Sequence, residues 1–297
     1  MQPFFSIVIP TFNRASTVGL AISSVQDQSL IDWEIIVVDD GSNDSTESKI
    51  QPFLADSRIQ FFRQENMGVS TARNFGASKA AGKFLLFLDS DDELCTDFLN
   101  EAQSIILQDN AAQCFCFSAV FKIPDSGDVI IKPKYLGRLY SNKSGLFLAG
   151  TFVVARAKFW EAGGYDPDLA FGENDELGQR LCRICDIKCS NDRSLIAHRV
   201  RKKENNERYK RATMASTLEH YLGKYKDELI KVDKNKLVVT NNRLAVCYFV
   251  LNKEKLAFEL LAWNIRNSLN IDSLRIMILM KFTPSLYRKL LNWRGLI

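Results

Sequence analysis

Four short apolar runs follow one another through the first part of the chain, Phe5–Pro10 (FSIVIP), Trp33–Val38 (WEIIVV), Arg58–Arg63 (RIQFFR) and Phe84–Leu88 (FLLFL). Between them lie stretches with helical spacing: Ala15–Gln28, with Val18, Ala21, Ile22 and Val25 on one face, then Asp44–Leu54 and the alanine-rich Ser70–Ala81. Strand–helix alternation of this kind restricts the chain to an α/β fold with a mostly parallel sheet flanked by helices, because parallel neighbours need a crossover. Ligands bind such sheets beyond the carboxyl ends of the strands. Polar loops stand at three of those ends: Pro10-Thr11-Phe12-Asn13-Arg14, Asp39-Asp40-Gly41-Ser42 and Asp89-Ser90-Asp91-Asp92. Asn43 or Ser42 is available to cap the helix that follows the second.

Further on the pattern loosens. Gln113–Ile123 alternates like a strand, Pro124–Asp128 reads as a turn, FVVA at 152–155 as a strand, and a helix starts from Ala157. Gly163-Gly164-Tyr165-Asp166-Pro167 is a tight loop, Asp175–Cys185 an amphipathic helix and Ser194–Ala197 a strand. From about residue 204 long, charged, helix-favouring stretches take over. The expected division is a domain over 1–220 and a helical region over 221–297. With 39 basic and 35 acidic residues the formal charge of +4 is too small to argue for nucleic acid as a partner. Seven cysteines, scattered through strands and helices, read as reduced thiols. No signal-peptide pattern opens the chain, and no apolar window approaches the ~18–20 residues of a membrane span. The expectation is a soluble cytoplasmic protein.

Three carboxylates in Asp89-Ser90-Asp91-Asp92 repel one another unless a cation or a solvated turn relieves them. All-oxygen donors suit Mg²⁺ or Mn²⁺, which would neutralise a departing diphosphate. A plain acidic turn capping the next helix is the competing reading. Asp39 and Asp40 carry the same ambiguity, since a carboxylate at a strand end either meets a ribose or base or caps the helix after it.

Order and spacing remove much of that ambiguity. The set Pro10-Thr11-Phe12-Asn13-Arg14, Glu34-Ile35-Ile36-Val37-Val38-Asp39-Asp40-Gly41-Ser42, Asn66-Met67-Gly68, Ala72-Arg73-Asn74-Phe75-Gly76 and Leu88-Asp89-Ser90-Asp91-Asp92 closely resembles the family 2 glycosyltransferases. The resemblance covers roughly residues 4–200. It implies a GT-A fold, a Rossmann-like nucleotide-binding half joined to an acceptor-binding half. It also implies inverting transfer from a nucleoside-diphosphate sugar, often UDP-linked, with Mn²⁺ or Mg²⁺. On the matching positions Thr11 and Asp39 would contact the nucleoside, Arg73 would lie beside the nucleotide, Asp91 would bind the metal, and Asp89 would face the ribose or the metal shell. Asp92 is an additional candidate ligand. For Arg73 the alternative is a salt bridge to Asp89 or Asp92.

The general base departs from the family pattern. Inversion needs a carboxylate that takes the acceptor proton, and the family commonly writes this region as Gly-Glu-Asp before Leu-x-x-Arg. Here Gly172-Glu173-Asn174-Asp175-Glu176-Leu177-Gly178-Gln179-Arg180 puts Asn174 at that place. Asparagine cannot serve, so Asp175 or Glu173 must supply the base, with Asp175 slightly preferred; for either, an acid at a helix N-terminus is the structural alternative. Gly150 and Gly163-Gly164-Tyr165 resemble the acceptor side and would shape the pocket. His198, opening His198-Arg199-Val200-Arg201-Lys202-Lys203, is a candidate metal ligand, and the basic residues a diphosphate clamp or a solvated loop. Cys182, Cys185 and Cys189 have spacing that zinc accepts, but one buried helix face explains it better.

Ser273–Ile297 mixes large apolar residues with Arg275, Lys281, Arg288, Lys289 and Arg294, and no acid follows Asp272. It would either lie on an anionic membrane or dock on the catalytic domain or a second subunit, and docking is the preferred reading. The expected partners are therefore a nucleotide-sugar donor and a saccharide or lipid-linked saccharide acceptor, with peripheral membrane contact at the inner face and homo-oligomerisation open. Surface-polysaccharide assembly is the setting that the family suggests. Two rivals stand beside this reading: a nucleotidyltransferase, which should carry a glycine-rich basic loop where this chain has Thr-Phe-Asn-Arg, and a non-catalytic relative, suggested by Asn174.

Overall fold

A computed structural model of the chain describes residues 2–109, 111–123, 127–198 and 207–287. It forms two compact units, Met1–Pro167 with Gly172–Arg201 and Asp168–Phe171 with Lys202–Ile297.

The first unit is built on β1 (Phe5–Thr11), β2 (Trp33–Asp39), β3 (Ile59–Arg63) and β4 (Phe84–Phe87), which run parallel in the order β3-β2-β1-β4. Every residue of β1 and β2 is buried, as parallel strands covered on both faces must be. Each fully buried Ile or Val in these strands contributes about 1.5–3 kcal/mol. Two of the polar exceptions satisfy each other: Ser6 Oγ donates to Glu34 Oε1 at 2.6 Å, and the Glu34 carboxylate also accepts from Gln60 Nε2 and from the amides of Ala81 and Gly82. A buried carboxylate is tolerable when its lone pairs are met in this way.

The crossovers carry α1 (Val18–Gln26), α2 (Thr46–Ile50) and α3 (Val69–Lys79). The helix expected over 44–54 is shorter than its pattern. It passes into a 3₁₀ turn over Gln51–Ala55, where Pro52 lacks the amide an α-helix would use. Nor do Ser42 and Asn43 cap it. Ser42 Oγ and the Asn43 amide bind Asn13, and Asp44 Oδ1 accepts the Thr46 amide instead.

Beyond β4 the order is β5 (Asp92–Leu94), α4 (Phe98–Gln108), β6 (Cys114–Ile123), β7 (Gly127–Ile131), β8 (Lys134–Tyr135), β9 (Ser144–Gly145), β10 (Phe152–Ala155), α5 (Arg156–Glu161), α6 (Glu173–Ile184) and β11 (Ile187–His198). The large sheet reads β3-β2-β1-β4-β10-β6-β11-β5, with β7 on β6. It is parallel through β4 and mixed after it, because β10 enters antiparallel between β4 and β6. That reversal brings the loop before β10 to the carboxyl end of β4, where the Gly150 amide donates to Phe87 O. Likewise β5 runs antiparallel to β11 and pairs Asp92 with Ala197.

The second unit is helical: α7 (Glu207–Val232), α8 (Lys234–Val250), α9 (Glu254–Ser268) and α10 (Ile271–Phe282). Helix α7 runs continuously through residue 220. Among the described residues no helix is long and apolar enough to cross a membrane.

Close packing of α3 on the sheet depends on Gly76. A Cβ there would lie 2.4 Å from Val8 Cγ1 and 3.1 Å from Val38 Cγ2. Gly76→Ala is expected to lower the unfolding free energy by about 1–3 kcal/mol, read as a fall in the urea midpoint at unchanged m-value. An unchanged midpoint would mean that α3 has room to lift from the strands.

Candidate active site

The carboxyl ends of β1, β2 and β3 form a ladder of polar side chains. Thr11 is in register with Asp39, and Asp39 with Arg63. Asp39 is fully buried; its Oδ1 accepts the Ser42 amide at 2.9 Å, and Arg63 Nη1 lies 3.6 Å from its Oδ2. Thr11 Oγ1 and Asp39 Oδ2 are buried polar atoms without a hydrogen-bond partner, an arrangement that costs stability unless something else meets it. Asp40 has a different occupation. Its carboxylate takes Gln64 Nε2 and the amides of Met67 and Gly68, tying the loop ahead of α3 to the end of β2. Gly41 beside it has φ of 81°, and a Cβ there would stand 2.9 Å from the Asn66 amide.

Beyond β4 the chain turns tightly, the Asp92 amide donating to Asp89 O. One carboxylate oxygen each from Asp89, Asp91 and Asp92 lies within 4.8 Å of the others. Asp91 is 41% exposed and stands 3.4 Å from Arg14 Nε. Asp89 Oδ1 accepts from Arg73 Nη2 at 2.7 Å. Three convergent oxygen donors, at least two of them reachable from solvent, fit a hard divalent cation. The backbone of His198 ends β11 opposite Lys122, one residue beyond the Ala197–Asp92 pair. Its side chain, and residues 199–206 with the basic cluster, lie outside the described residues.

Helix α3 knits the site together through two successive residues. Arg73 is 2% exposed; Nη2 holds Asp89 and Nη1 donates to Glu173 Oε1 at 2.8 Å. Burial works against its charge, but the fields of Asp89, Tyr165 and Glu173 more than offset that and raise its pKa. The sequence left two positions open for Arg73, and the geometry gives the salt bridge, to Asp89 and to Glu173 together. Asn74 clasps the backbone of Tyr165, Nδ2 donating to its carbonyl and Oδ1 accepting from its amide, both at 2.8 Å. Gly164 must be small and left-handed there: φ is 68°, and a Cβ would come 2.8 Å from Asn74 Oδ1.

Glu173 opens α6, two residues earlier than the helical pattern indicates. The following residues divide the work. Asn174 Oδ1 accepts from the buried Tyr165 hydroxyl, and its Nδ2 donates to Glu173 Oε1. Asp175 is exposed, and its Oδ1 accepts from Tyr140 OH. Glu176 is buried and spent on Arg180, which also donates to Ala162 O ahead of the Gly163-Gly164 turn. A continuous chain of contacts thus runs from Asp89 through Arg73, Glu173 and Asn174 to Tyr165. Gly150, with φ of 81°, would place a Cβ 2.3 Å from Leu195, which accounts for the glycine by packing. Of the expected residues, the ladder holds Thr11 and Asp39, and the bonded chain joins Arg73, Asp89 and Glu173. Asp91 stands on the acid turn and Asp175 on Tyr140.

Sequence reasoning overlooked Arg63, Asn74 and Tyr140 as parts of this site. Asn74 stood inside a noted motif, but Tyr140 sits in a 3₁₀ turn with no local signal. The three cysteines do not share one helix face: Cys182 lies on α6, Cys185 caps its end, and Cys189, only partly buried, lies on β11. Burial pushes Cys182 up to about 12 and Cys185 up to about 11, while Cys189 faces Cys116 across the β6–β11 ladder. Protonated thiols are poor zinc ligands.

Residues 6–162 match the sequence model of the family described as Glycosyl transferase family 2. The Campylobacter jejuni GalNAc(5)-diNAcBac-PP-undecaprenol beta-1,3-glucosyltransferase is 43% identical over 102 residues, 33% of this chain and 33% of that protein. The Escherichia coli UDP-Glc:alpha-D-GlcNAc-diphosphoundecaprenol beta-1,3-glucosyltransferase WfgD is 40% identical over 106 residues, 35% of this chain and 42% of that protein. The chain thus spans less than half the length of either curated relative. Among solved structures, Staphylococcus aureus TarS 1-349 in complex with UDP-GlcNAc aligns with a TM-score of 0.59 and 16% identity, over 92% of this chain and 78% of that one. Its complex with UDP gives 0.57 and 18%, over 83% and 72%. At such identity the likeness establishes the fold.

Arg73→Met would leave Asp89 and Glu173 without their shared cation. Breaking a buried pair costs about 3–5 kcal/mol, and the lower end is expected because the Asp89 side chain is 38% exposed. Urea melts of Arg73→Met, Glu173→Gln and the double variant should show the second substitution costing less once the first is made. Additive losses would mean that the bridge is geometric only.

Proposed function

This chain belongs to glycosyl transferase family 2, and on that premise we propose that it transfers a sugar, with inversion, from a nucleoside-diphosphate sugar to an acceptor hydroxyl. The single observation that carries the reading is the Arg73 bridge. It ties Asp89 of the acid turn, on the donor side, to Glu173 at the start of α6, one of the two candidate bases. The family match favours sugar transfer over nucleotidyl transfer. UDP is the expected carrier, since the donor printed for the Escherichia coli relative is UDP-Glc and the TarS complexes hold UDP and UDP-GlcNAc. The acceptor is proposed to be a lipid-linked saccharide of surface-polysaccharide assembly, as the two undecaprenol-linked names suggest. The chemistry is assigned to the 1–220 span, with 221–297 as a helical appendage, in a protein working at the inner face of a membrane.

In this reading Thr11 and Asp39 meet the nucleoside, and the buried Thr11 Oγ1 and Asp39 Oδ2, which accept no hydrogen bond, are the feature that supports it. Asp91, with Asp89 and His198, would hold Mn²⁺ or Mg²⁺, which when bound supplies positive charge for the leaving diphosphate. Arg73 acts through Asp89 and is a positioning residue, not a nucleotide contact. For the base, Asp175 is preferred over Glu173. Glu173 Oε1 already receives Arg73 and Asn174, whereas Asp175 is exposed and oriented by Tyr140. The acceptor hydroxyl gives its proton to the Asp175 carboxylate as its oxygen bonds the anomeric carbon. The bond from that carbon to the diphosphate oxygen breaks with its electron pair on the diphosphate.

Thermal shift and calorimetry with UDP, GDP, CDP and dTDP, each with and without Mn²⁺, test the donor site. The expected result is stabilisation by UDP that needs the metal and disappears in Asp91→Ala; binding by no nucleotide would end the transferase reading. In transfer assays Asp175→Asn is expected to lower kcat about 10²–10⁴-fold with UDP binding intact. Loss in Glu173→Gln with full activity in Asp175→Asn would move the base to Glu173, and binding without turnover in the wild type would mark a non-catalytic relative.

A further inference from the structure

Helix α10 is apolar around nearly its whole circumference, with Asp272, Ser273, Arg275 and Lys281 as its polar residues. A helix of that kind is normally enclosed, by protein or by lipid. Here one side is enclosed: Met280 and Ser273 are buried, and Ser273 Oγ donates to Asn242 Oδ1 on α8 and accepts from Asn264 Nδ2 on α9. Among the described residues the opposite side is bare. Ile271, Ile278 and Phe282, at i, i+7 and i+11, are 61%, 46% and 70% exposed, with Leu274 and Leu279 exposed beside them and Leu286 exposed one turn on. Contiguous exposed apolar surface marks an interaction site.

The charges decide what covers it. Lys281 and Arg275, the latter 3.5 Å from the exposed Asp272, stand on this helix, the sequence beyond adds Arg288, Lys289 and Arg294, and no acid follows Asp272. A second copy packed face to face would bring these cations against their own duplicates. We propose that this face of α10 docks on an anionic lipid surface, the apolar side chains entering the headgroup–acyl boundary and Arg275 and Lys281 reaching lipid phosphates. The surface stands on the chemistry of α10; its use in catalysis rests on the lipid-linked acceptor proposed above.

Flotation of the full chain with phosphatidylglycerol–phosphatidylethanolamine vesicles, and with phosphatidylcholine vesicles as control, tests the docking without donor or acceptor. The wild type is expected to float with the anionic vesicles and to be partly released by about 0.5 M salt. Ile278→Glu with Phe282→Glu should cut partitioning by about tenfold or more with an unchanged melting curve, since both side chains are exposed. No flotation of the wild type, equal flotation with both vesicle types, or flotation of the double variant would overturn the proposal. So would a wild-type dimer in light scattering that the double variant dissociates, with no vesicle binding. UDP calorimetry on the same samples separates the failures. A protein that binds UDP and does not float loses the lipid surface only, and one that floats without binding nucleotide loses the transferase reading only.

Discussion

A guanidinium with almost no access to water must be neutralised from within the protein, and Arg73 is neutralised by two carboxylates that lie far apart in sequence. Asp89 belongs to the turn after β4, Glu173 to the start of α6. Because each is held by a different arm of one planar fork, the distance between those two loops is set by the dimensions of a side chain and not by the slack of the roughly eighty residues between them. Asn74 repeats the device one residue on, pinning the Tyr165 loop by two backbone hydrogen bonds. Helix α3 can do this only because Gly76 lets it lie directly on β1 and β2.

The same edge of the sheet collects the remaining polar groups for a topological reason. Parallel strands end on one side, so Thr11, Asp39 and Arg63 fall into a ladder, and the acid turn follows at the end of β4. The later strands bring their own residues to that side: antiparallel β10 the loop of Gly150 that precedes it, and β11, which runs the same way as β1–β4, the backbone of His198 at its carboxyl end. Neighbouring acids part company by environment. Asp40 organises a loop and Asp39 keeps an oxygen without a hydrogen bond; Glu176 serves Arg180 while Asp175 faces solvent.

In the helical unit a buried polar network plays the orienting part. Asn264 donates to Asn242, Ser273 and the Val238 carbonyl and accepts from Asn241, so α8, α9 and α10 are joined by bonds that apolar packing alone would not direct. The Ser273 end of this network fixes the rotation of α10. That rotation, in turn, decides that Ile271, Ile278 and Phe282 point outward. The sequence suggested docking of this segment on the catalytic domain or a second subunit; the contacts of α10 are with α8 and α9 of its own unit, and among the described residues its other face is left bare.

How far the sequence could be read follows the range of the interactions. The four strands, the helices between them and the α/β class were legible to within a few residues, since burial periodicity and breakers such as Pro52 act over one or two turns of chain. The family was legible as well, because its motifs are contiguous. The placement of β10 against β4 was not: its pairing joins strands some seventy residues apart and leaves no local trace. The site divided in the same way. Residue types marked Asp39, Asp89 and Asp91 as candidates, and the resemblance added Thr11, Glu173 and Asp175. That Arg73 is buried between two acids, that Asn174 faces Tyr165, and that Tyr140 reaches Asp175 were decisions of the tertiary structure. Hydrogen bonds and charge pairs between distant loops depend on where the backbone carries each side chain, and that position exists only once the sheet and its flanking helices have packed.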